Sequence, residues 1–124
     1  MKSNSDERPA IITDLGNGSY HYSYNMTQRT DQREDGTEKT SWDCNQVQIW
    51  GRPTRAALVK AVIRDEIDET AEFDLVNSYN AANAGLLDEQ EAEQAKARYI
   101  NYLRRVQEIK IQIAADLTAA GYTD

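Results

Sequence analysis

The sequence is poor in the residues that build disulfides, thiolate metal clusters and membrane spans. Cys44 is the only cysteine in 124 residues, which excludes an internal disulfide and a cysteine-rich metal cluster. No apolar run approaches the length of a membrane-spanning helix, and the opening MKSNSDERPA lacks the apolar core of a secretion signal. We therefore expect a protein that stays in the cytoplasm, unless it leaves the cell as part of an assembly.

Positive charge is also scarce. The chain has 14 Lys and Arg against 21 Asp and Glu, a net charge of −7 at pH 7. Nucleic acids and anionic membranes bind basic surfaces, because their phosphates are negatively charged. The composition therefore predicts no nucleic-acid partner and no membrane partner, and favours other proteins.

Residue patterns typical of catalysis or cofactor binding are missing as well. His21, the single histidine, stands in a Ser/Tyr/Asn segment with no carboxylate nearby in sequence. The acidic residues within 65–72 lack the alternating oxygen ligands and central glycine of a calcium loop. Gly16-Asn17-Gly18 does not lead into a helix, as a phosphate-binding loop would. We expect no enzyme activity, no cofactor and no metal site.

The first half of the chain has the alternating pattern of β-strands. Residues 19–26, SYHYSYNM, place tyrosines on one face and small polar residues on the other. A short strand within 10–15 precedes them, and the glycines of 16–18 tolerate the positive φ of a tight turn. Asp35-Gly36, a favoured turn pair, predicts an extended hairpin tip before a returning strand at 41–50.

The returning strand changes phase part-way along. Trp42 and Cys44 share one parity, whereas Val47 and Ile49 share the other. A β-bulge at Asn45 or Gln46 would bring both pairs to the same face. The alternative is a strand covered on both sides. Of these two interpretations, the sequence favours the bulge.

The stretch WGRPT at 50–54 marks the change from strands to helices. Gly51 and Pro53 interrupt regular structure, and the Thr54 hydroxyl can cap a helix that ends near Ile67. Downstream of Thr54, apolar residues recur every three to four positions, which is typical of an amphipathic helix.

Two further helix starts are predicted from acidic caps. Asp68 can cap a second helix that ends at Gly85, a residue suited to a left-handed C-terminal position. Asp88 with Glu91 resembles a capping box and starts a helix of roughly 30 residues that runs to Gly121. The apolar residues of the second helix predicted to face inward are Phe73, Val76 and Tyr79.

The long helix carries an apolar stripe formed by Tyr99, Leu103, Val106, Ile113 and Leu117. Two interpretations stay open. The stripe packs on the chain's own sheet and short helices, or one end of the helix projects and pairs with another chain.

Together these patterns predict one α+β domain over residues 1–124. Residues 1–9 form a flexible arm, and 10–50 form a three-stranded antiparallel β-meander. Residues 54–120 form the helical part, two short helices followed by a long C-terminal helix.

Several segments resemble a group of small proteins encoded in phage and prophage tail modules, the XkdW-like prophage proteins. They are GNGSYHYSYNM, the strand that ends in WGRPT, LVKAVIRDEIDETAEFDLVN and YINYL. The likeness is best over residues 16–79 and 99–103. In that group, a tyrosine-rich strand leads through a Pro-Thr corner into an A-x-I-R helix, and a second helix ends in Leu-x-Asn.

The counterparts in this sequence are Pro53-Thr54, Ala61 with Ile63-Arg64, and Leu75 with Asn77. The group often has an aromatic residue where Ile67 stands, which leaves the end of the first helix less defined. The resemblance carries over no catalytic residue. It implies a tail component or tail-assembly accessory.

The resulting hypothesis is a non-enzymatic structural or assembly protein of a phage or prophage tail, present in the bacterial cytoplasm or in the virion. Its expected partners are other tail proteins or further copies of itself. The alternative is a bacterial adaptor or regulatory binding protein unrelated to virions. The candidate contact residues are Tyr20, Tyr22, Tyr24, Trp42, Tyr99, Leu103, Val106, Ile113 and Leu117.

Overall fold

The computed structural model describes residues 1–122 and contains an antiparallel sheet and three α-helices. The strands are β1 (Lys2–Ser5), β2 (Ile12–Asp14), β3 (Ser19–Gln32) and β4 (Glu38–Trp50). The helices are α1 (Arg55–Glu66), α2 (Glu69–Asn83) and α3 (Glu89–Ala119). The α+β class and the order of elements agree with the prediction.

The sheet has four strands in the order β1-β4-β3-β2, one more than predicted. Strands β2, β3 and β4 are the expected meander, with neighbours in chain order. The fourth strand comes from the predicted flexible arm, whose residues Lys2 to Ser5 pair with Asn45 to Trp42 of β4. An edge strand is held through its backbone N–H and C=O groups, so the polar KSNS needs no apolar alternation to pair.

A β-bulge is present, but on β3 rather than on β4. Tyr24 lies opposite Asn45 and Thr27 opposite Asp43, so two residues of β3 face Cys44 alone. One of the two, Asn25, has φ 53°, a left-handed conformation that asparagine adopts more readily than most residues. The bulge predicted at Asn45 or Gln46 was therefore wrong.

Because the bulge is in β3, the residues of β4 alternate regularly between the two faces of the sheet. Val47 and Ile49 lie opposite Tyr22 and Tyr20 and face the helices, whereas the register places Cys44 on the other face. That outer face is polar: Gln46 and Gln48 donate to the hydroxyls of the buried Ser23 and Ser19, at 3.2 and 3.0 Å. The core lies between the inner face and the helices and consists of Tyr22, Tyr24, Val47, Ile49, Leu58, Val62, Ile109, Ile113 and Leu117.

All three helix starts follow from side-chain caps. Thr54, Asp68 and Asp88 each accept a hydrogen bond from the backbone N–H three residues on, at 3.2, 2.7 and 2.8 Å. These groups satisfy N–H donors that have no partner inside the helix. Gly85 follows the end of α2 with φ 74°, which favours glycine. The predicted caps are confirmed.

The long helix α3 has two halves with different neighbours. Ile109, Ile113 and Leu117 belong to the core under the sheet. Among the described residues, none of α3 before Ile109 belongs to that core. This first part of the helix packs against α2. With about 1.5 Å per residue, this half extends roughly 30 Å. The helical hairpin of α2 and α3 therefore has its own surfaces.

Candidate functional site

The most distinctive surface of the helical hairpin is an apolar groove between α2 and α3, here called the aromatic groove. Its volume is about 380 Å³. Phe73 and Leu103 on its walls are 66% and 41% exposed, so large apolar side chains face solvent. Exposed apolar clusters of this kind mark binding surfaces in soluble proteins. The lining residues are Phe73, Val76, Tyr99, Tyr102, Leu103 and Val106, with Glu72 at one end.

Stacked tyrosines hold the two walls of the aromatic groove together. The rings of Tyr79 on α2 and Tyr99 on α3 stack with centroids 4.4 Å apart, and Tyr102 stacks on Tyr99 at 6.3 Å. Each helix also buries an alanine, Ala82 on α2 and Ala95 on α3, and such small side chains allow close packing. Both walls therefore have a fixed geometry, which lowers the entropy lost when a partner binds.

Glu72 ties all three helices together at the end of the aromatic groove. Its carboxylate accepts hydrogen bonds from the Tyr102 hydroxyl on α3 and from Nη2 of Arg64 on α1, the latter at 2.7 Å. The bond from Tyr102, with that from Arg64, lowers the pKa of Glu72 below its usual value. The pKa of Tyr102 is raised to about 12, mainly by burial and secondly by the hydrogen bond to Glu72.

We expect Glu72→Gln to lower the free energy of unfolding by about 1 kcal/mol at pH 7, because one charge-assisted hydrogen bond is lost from a partly exposed site. Because the pKa of Glu72 is lower in the folded state, its carboxylate stabilises the fold above about pH 4.5. That stabilisation is lost as the pH falls through the pKa that Glu72 has in the folded state. Urea unfolding at pH 7 and about pH 3 measures both.

The matched control for that experiment is Asp74→Asn, which removes the same charge from an exposed position of α2. It should change the free energy of unfolding by less than about 0.5 kcal/mol at either pH. The difference between wild type and Glu72→Gln should shrink toward pH 3. A difference that stays constant with pH would contradict the assigned role of the carboxylate.

Three of the nine predicted contact residues meet in the aromatic groove: Tyr99, Leu103 and Val106. Four others lie in the core, so their prediction as contact surfaces was wrong; they are Tyr22, Tyr24, Ile113 and Leu117. The apolar stripe of α3 therefore lines the groove in its first part and fills the core in its last part, because α3 extends past the sheet.

The last two predicted contact residues lie apart from the aromatic groove. Tyr20 is partly buried, edge-to-face with Tyr122 at 6.5 Å. Trp42 is partly buried, with the Arg8 guanidinium 5.5 Å from its ring centroid. Neither residue lines the aromatic groove.

Sequence reasoning missed three groove residues. Phe73 was predicted to face inward, yet it is exposed, and Val76 lines the groove beside it. Helical periodicity gives the apolar face of α2 but not the neighbour that covers it. Tyr102 was also missed, although its spacing of three from Tyr99 places the two rings side by side on α3.

Comparisons with protein-family models, with curated proteins and with solved structures find no match. The resemblance to tail-module proteins stays a prediction from sequence.

Apart from Glu72, the residues considered for chemistry lie outside the aromatic groove. His21 stands between Thr13 and Gln48 in the sheet register, on its polar outer face. The acidic residues of 65–72 do not converge on one site: Glu66 pairs with Arg105, and Asp68 caps α2. Glu69 and Glu72 both pair with Arg64. Within residues 1–122, no three metal-ligating side chains are clustered. The described helices are too short or too polar to cross a membrane.

Proposed function

We propose that this protein works through protein–protein contact, as a structural or assembly component of a phage or prophage tail module. The observation that carries the contact role is the aromatic groove, where Phe73 and Leu103 expose apolar surface beside stacked tyrosines. Burying such surface against a partner is favourable by roughly 25 cal/mol per Å². The tail module itself is supported by the sequence resemblance.

The groove fits one or two large apolar side chains of a partner. A volume of about 380 Å³ is at the small end of the range for ligand pockets. Its polar group, the Glu72 carboxylate, is already engaged by Arg64 and Tyr102. We therefore propose an apolar anchor from a helical or extended segment of a neighbouring tail protein.

Co-expression with the proteins of the same tail module tests this proposal. Wild type should co-purify with one of them, and Leu103→Asp should weaken that complex at least tenfold, because a carboxylate would be buried in the contact. Ile111→Asp is the matched control: it makes the same kind of change on α3, at an exposed isoleucine outside the aromatic groove. It should change the affinity less than twofold.

Both variants should fold, because both replaced side chains are exposed. Circular dichroism and the unfolding midpoint check this. A complex that tolerates Leu103→Asp would contradict the role of the groove. Failure to bind any tail-module protein would contradict the tail assignment, and a defined partner outside the module would favour the adaptor alternative.

A further inference from the structure

A second groove lies between α1 and α3, on the other side of the Arg64–Glu72 pair. Its volume is about 510 Å³. Ala56, Val59 and Ile63 of α1 give it an apolar floor. Basic side chains surround that floor, so we call it the basic groove; they are Arg55, Lys60, Arg64 and Lys110, and the lining also includes one carboxylate, Glu72, which is paired with Arg64.

Among residues 1–122, three of these four cations have no carboxylate partner. Arg64 is paired with Glu69 and Glu72. In the part of the chain that the structure describes, Arg55, Lys60 and Lys110 form no ion pair. In addition, the first turn of α1 has no acidic residue, so the positive end of its dipole adds to the field. A local excess of positive charge in a chain of net charge −7 favours an acidic partner.

The chain carries a matching surface at the turn between α2 and α3, here called the acidic tip. Leu86 at its apex is 78% exposed. Glu89, Glu91 and Glu93 follow on the first turns of α3, are exposed and, as far as residues 1–122 show, form no ion pair. An exposed leucine followed by glutamates is complementary to an apolar floor surrounded by lysines and arginine.

The acidic tip cannot reach the basic groove of its own chain. Lys110 and Glu89 lie on the same continuous helix α3, 21 positions apart, which corresponds to roughly 30 Å along the axis. Contact between the two surfaces therefore requires two molecules.

We propose that the acidic tip of one copy docks in the basic groove of the next. The two surfaces differ, so the contact is head-to-tail, and each bound copy presents a further free tip and a further free groove. Repetition of such a contact produces a ring where the rotation closes and a filament where it does not. This proposal is independent of the tail assignment and of the aromatic groove.

One turn in one groove is a small interface, below the roughly 1,200 Å² of total buried surface typical of stable complexes. Self-association is therefore weak and depends on protein concentration. Since lysines and glutamates at the rim supply the complementarity, salt weakens it.

Sedimentation equilibrium of the whole chain, up to about 1 mM protein and at about 0.02 M and 0.5 M salt, tests the proposal. Two double variants neutralise one surface each: Lys60→Gln with Lys110→Gln, and Glu89→Gln with Glu93→Gln. At low salt, wild type should grow past the dimer with concentration. Each variant alone should need at least a threefold higher concentration for the same mean mass, and high salt should have a similar effect on wild type.

A mixture of the two variants is the decisive sample. It restores one wild-type contact, between the intact groove of one variant and the intact tip of the other, so at equal total concentration its mean mass should exceed that of either variant alone and stay below that of wild type. Leu103→Asp, in the aromatic groove, should self-associate like wild type, which separates this proposal from the proposed function. A monomeric wild type at low salt, equal association of wild type and both double variants, or a mixture that associates no more than either variant alone would each overturn it. Circular dichroism confirms that every variant is folded.

Discussion

Ile113→Ala is expected to lower the free energy of unfolding by about 2–5 kcal/mol, and the unfolding midpoint by on the order of 10 °C. Ile113 is 1% exposed and belongs to the core cluster that joins the sheet to α1 and α3. Truncation removes three methyl or methylene groups from water-excluded packing and leaves a cavity that a close-packed interior fills only in part. Urea or thermal unfolding by circular dichroism measures the loss.

Ile111→Ala is the control for that prediction. Ile111 is on the same helix, two residues upstream, but 71% exposed. The same truncation should cost less than about 0.5 kcal/mol there, because the side chain is exposed and alanine has the higher helix propensity. Equal losses at the two positions would mean that α3 does not present Ile113 to the core.

Features of the fold set by nearby residues could be predicted from sequence. Thr54, Asp68 and Asp88 cap their helices through backbone N–H groups three positions on, so each motif is contained in four residues. The alternation of Tyr20, Tyr22 and Tyr24 likewise predicts one face of a strand, because side chains alternate with a period of two.

Features set by distant neighbours could not be predicted. The pairing of β1 depends on the free edge of β4, about 40 residues away, and the polar KSNS segment carries no sign of it. The phase change in β4 did not indicate the bulge, because β4 alternates regularly and the extra residue is in β3. In β3, the bulge residue Asn25 takes the left-handed conformation.

The same limit explains the division of the α3 stripe. Val106 and Ile113 are one heptad apart and equivalent in the periodic pattern, yet Ile113 is in the core and Val106 lines the aromatic groove. The difference arises where the sheet ends beneath the helix, which depends on tertiary packing. Periodicity predicts which face of a helix is apolar, and the neighbours decide whether that face is core or surface.

Tyr22→Phe and Tyr24→Phe remove the same hydroxyl from neighbouring inward positions of β3 and should have opposite consequences. The rings stack with centroids 5.2 Å apart, and both residues are buried. The Tyr22 hydroxyl donates to the Asp116 carboxylate on α3, whereas the buried Tyr24 hydroxyl has no hydrogen-bond partner among the described residues.

We expect Tyr22→Phe to lower the free energy of unfolding by about 2 kcal/mol, because a hydrogen bond to a charged group is lost. Tyr24→Phe should be neutral or stabilise the fold by up to about 1 kcal/mol, because an unsatisfied buried hydroxyl is removed. Urea unfolding of both variants at pH 7 measures the contrast. Equal losses would show that the Tyr24 hydroxyl finds a partner in solution.

The dependence of the free energy of unfolding on pH in the alkaline range provides a second measurement on Tyr22 and Tyr24. Burial, and then the charges of Asp65 and Glu66, raise the pKa of Tyr24 from 10.0 to about 12. A pKa raised in the folded state means that ionisation of the phenol is disfavoured there, so the folded state loses stability relative to the unfolded state as the pH rises from about 10 through 12. Wild type should therefore lose stability more steeply than Tyr24→Phe over that interval. Burial and the bond to Asp116 also raise the pKa of Tyr22. Tyr22→Phe should therefore also lose stability less steeply at alkaline pH. An alkaline pH dependence unchanged in both variants would contradict the buried, protonated state of these two side chains.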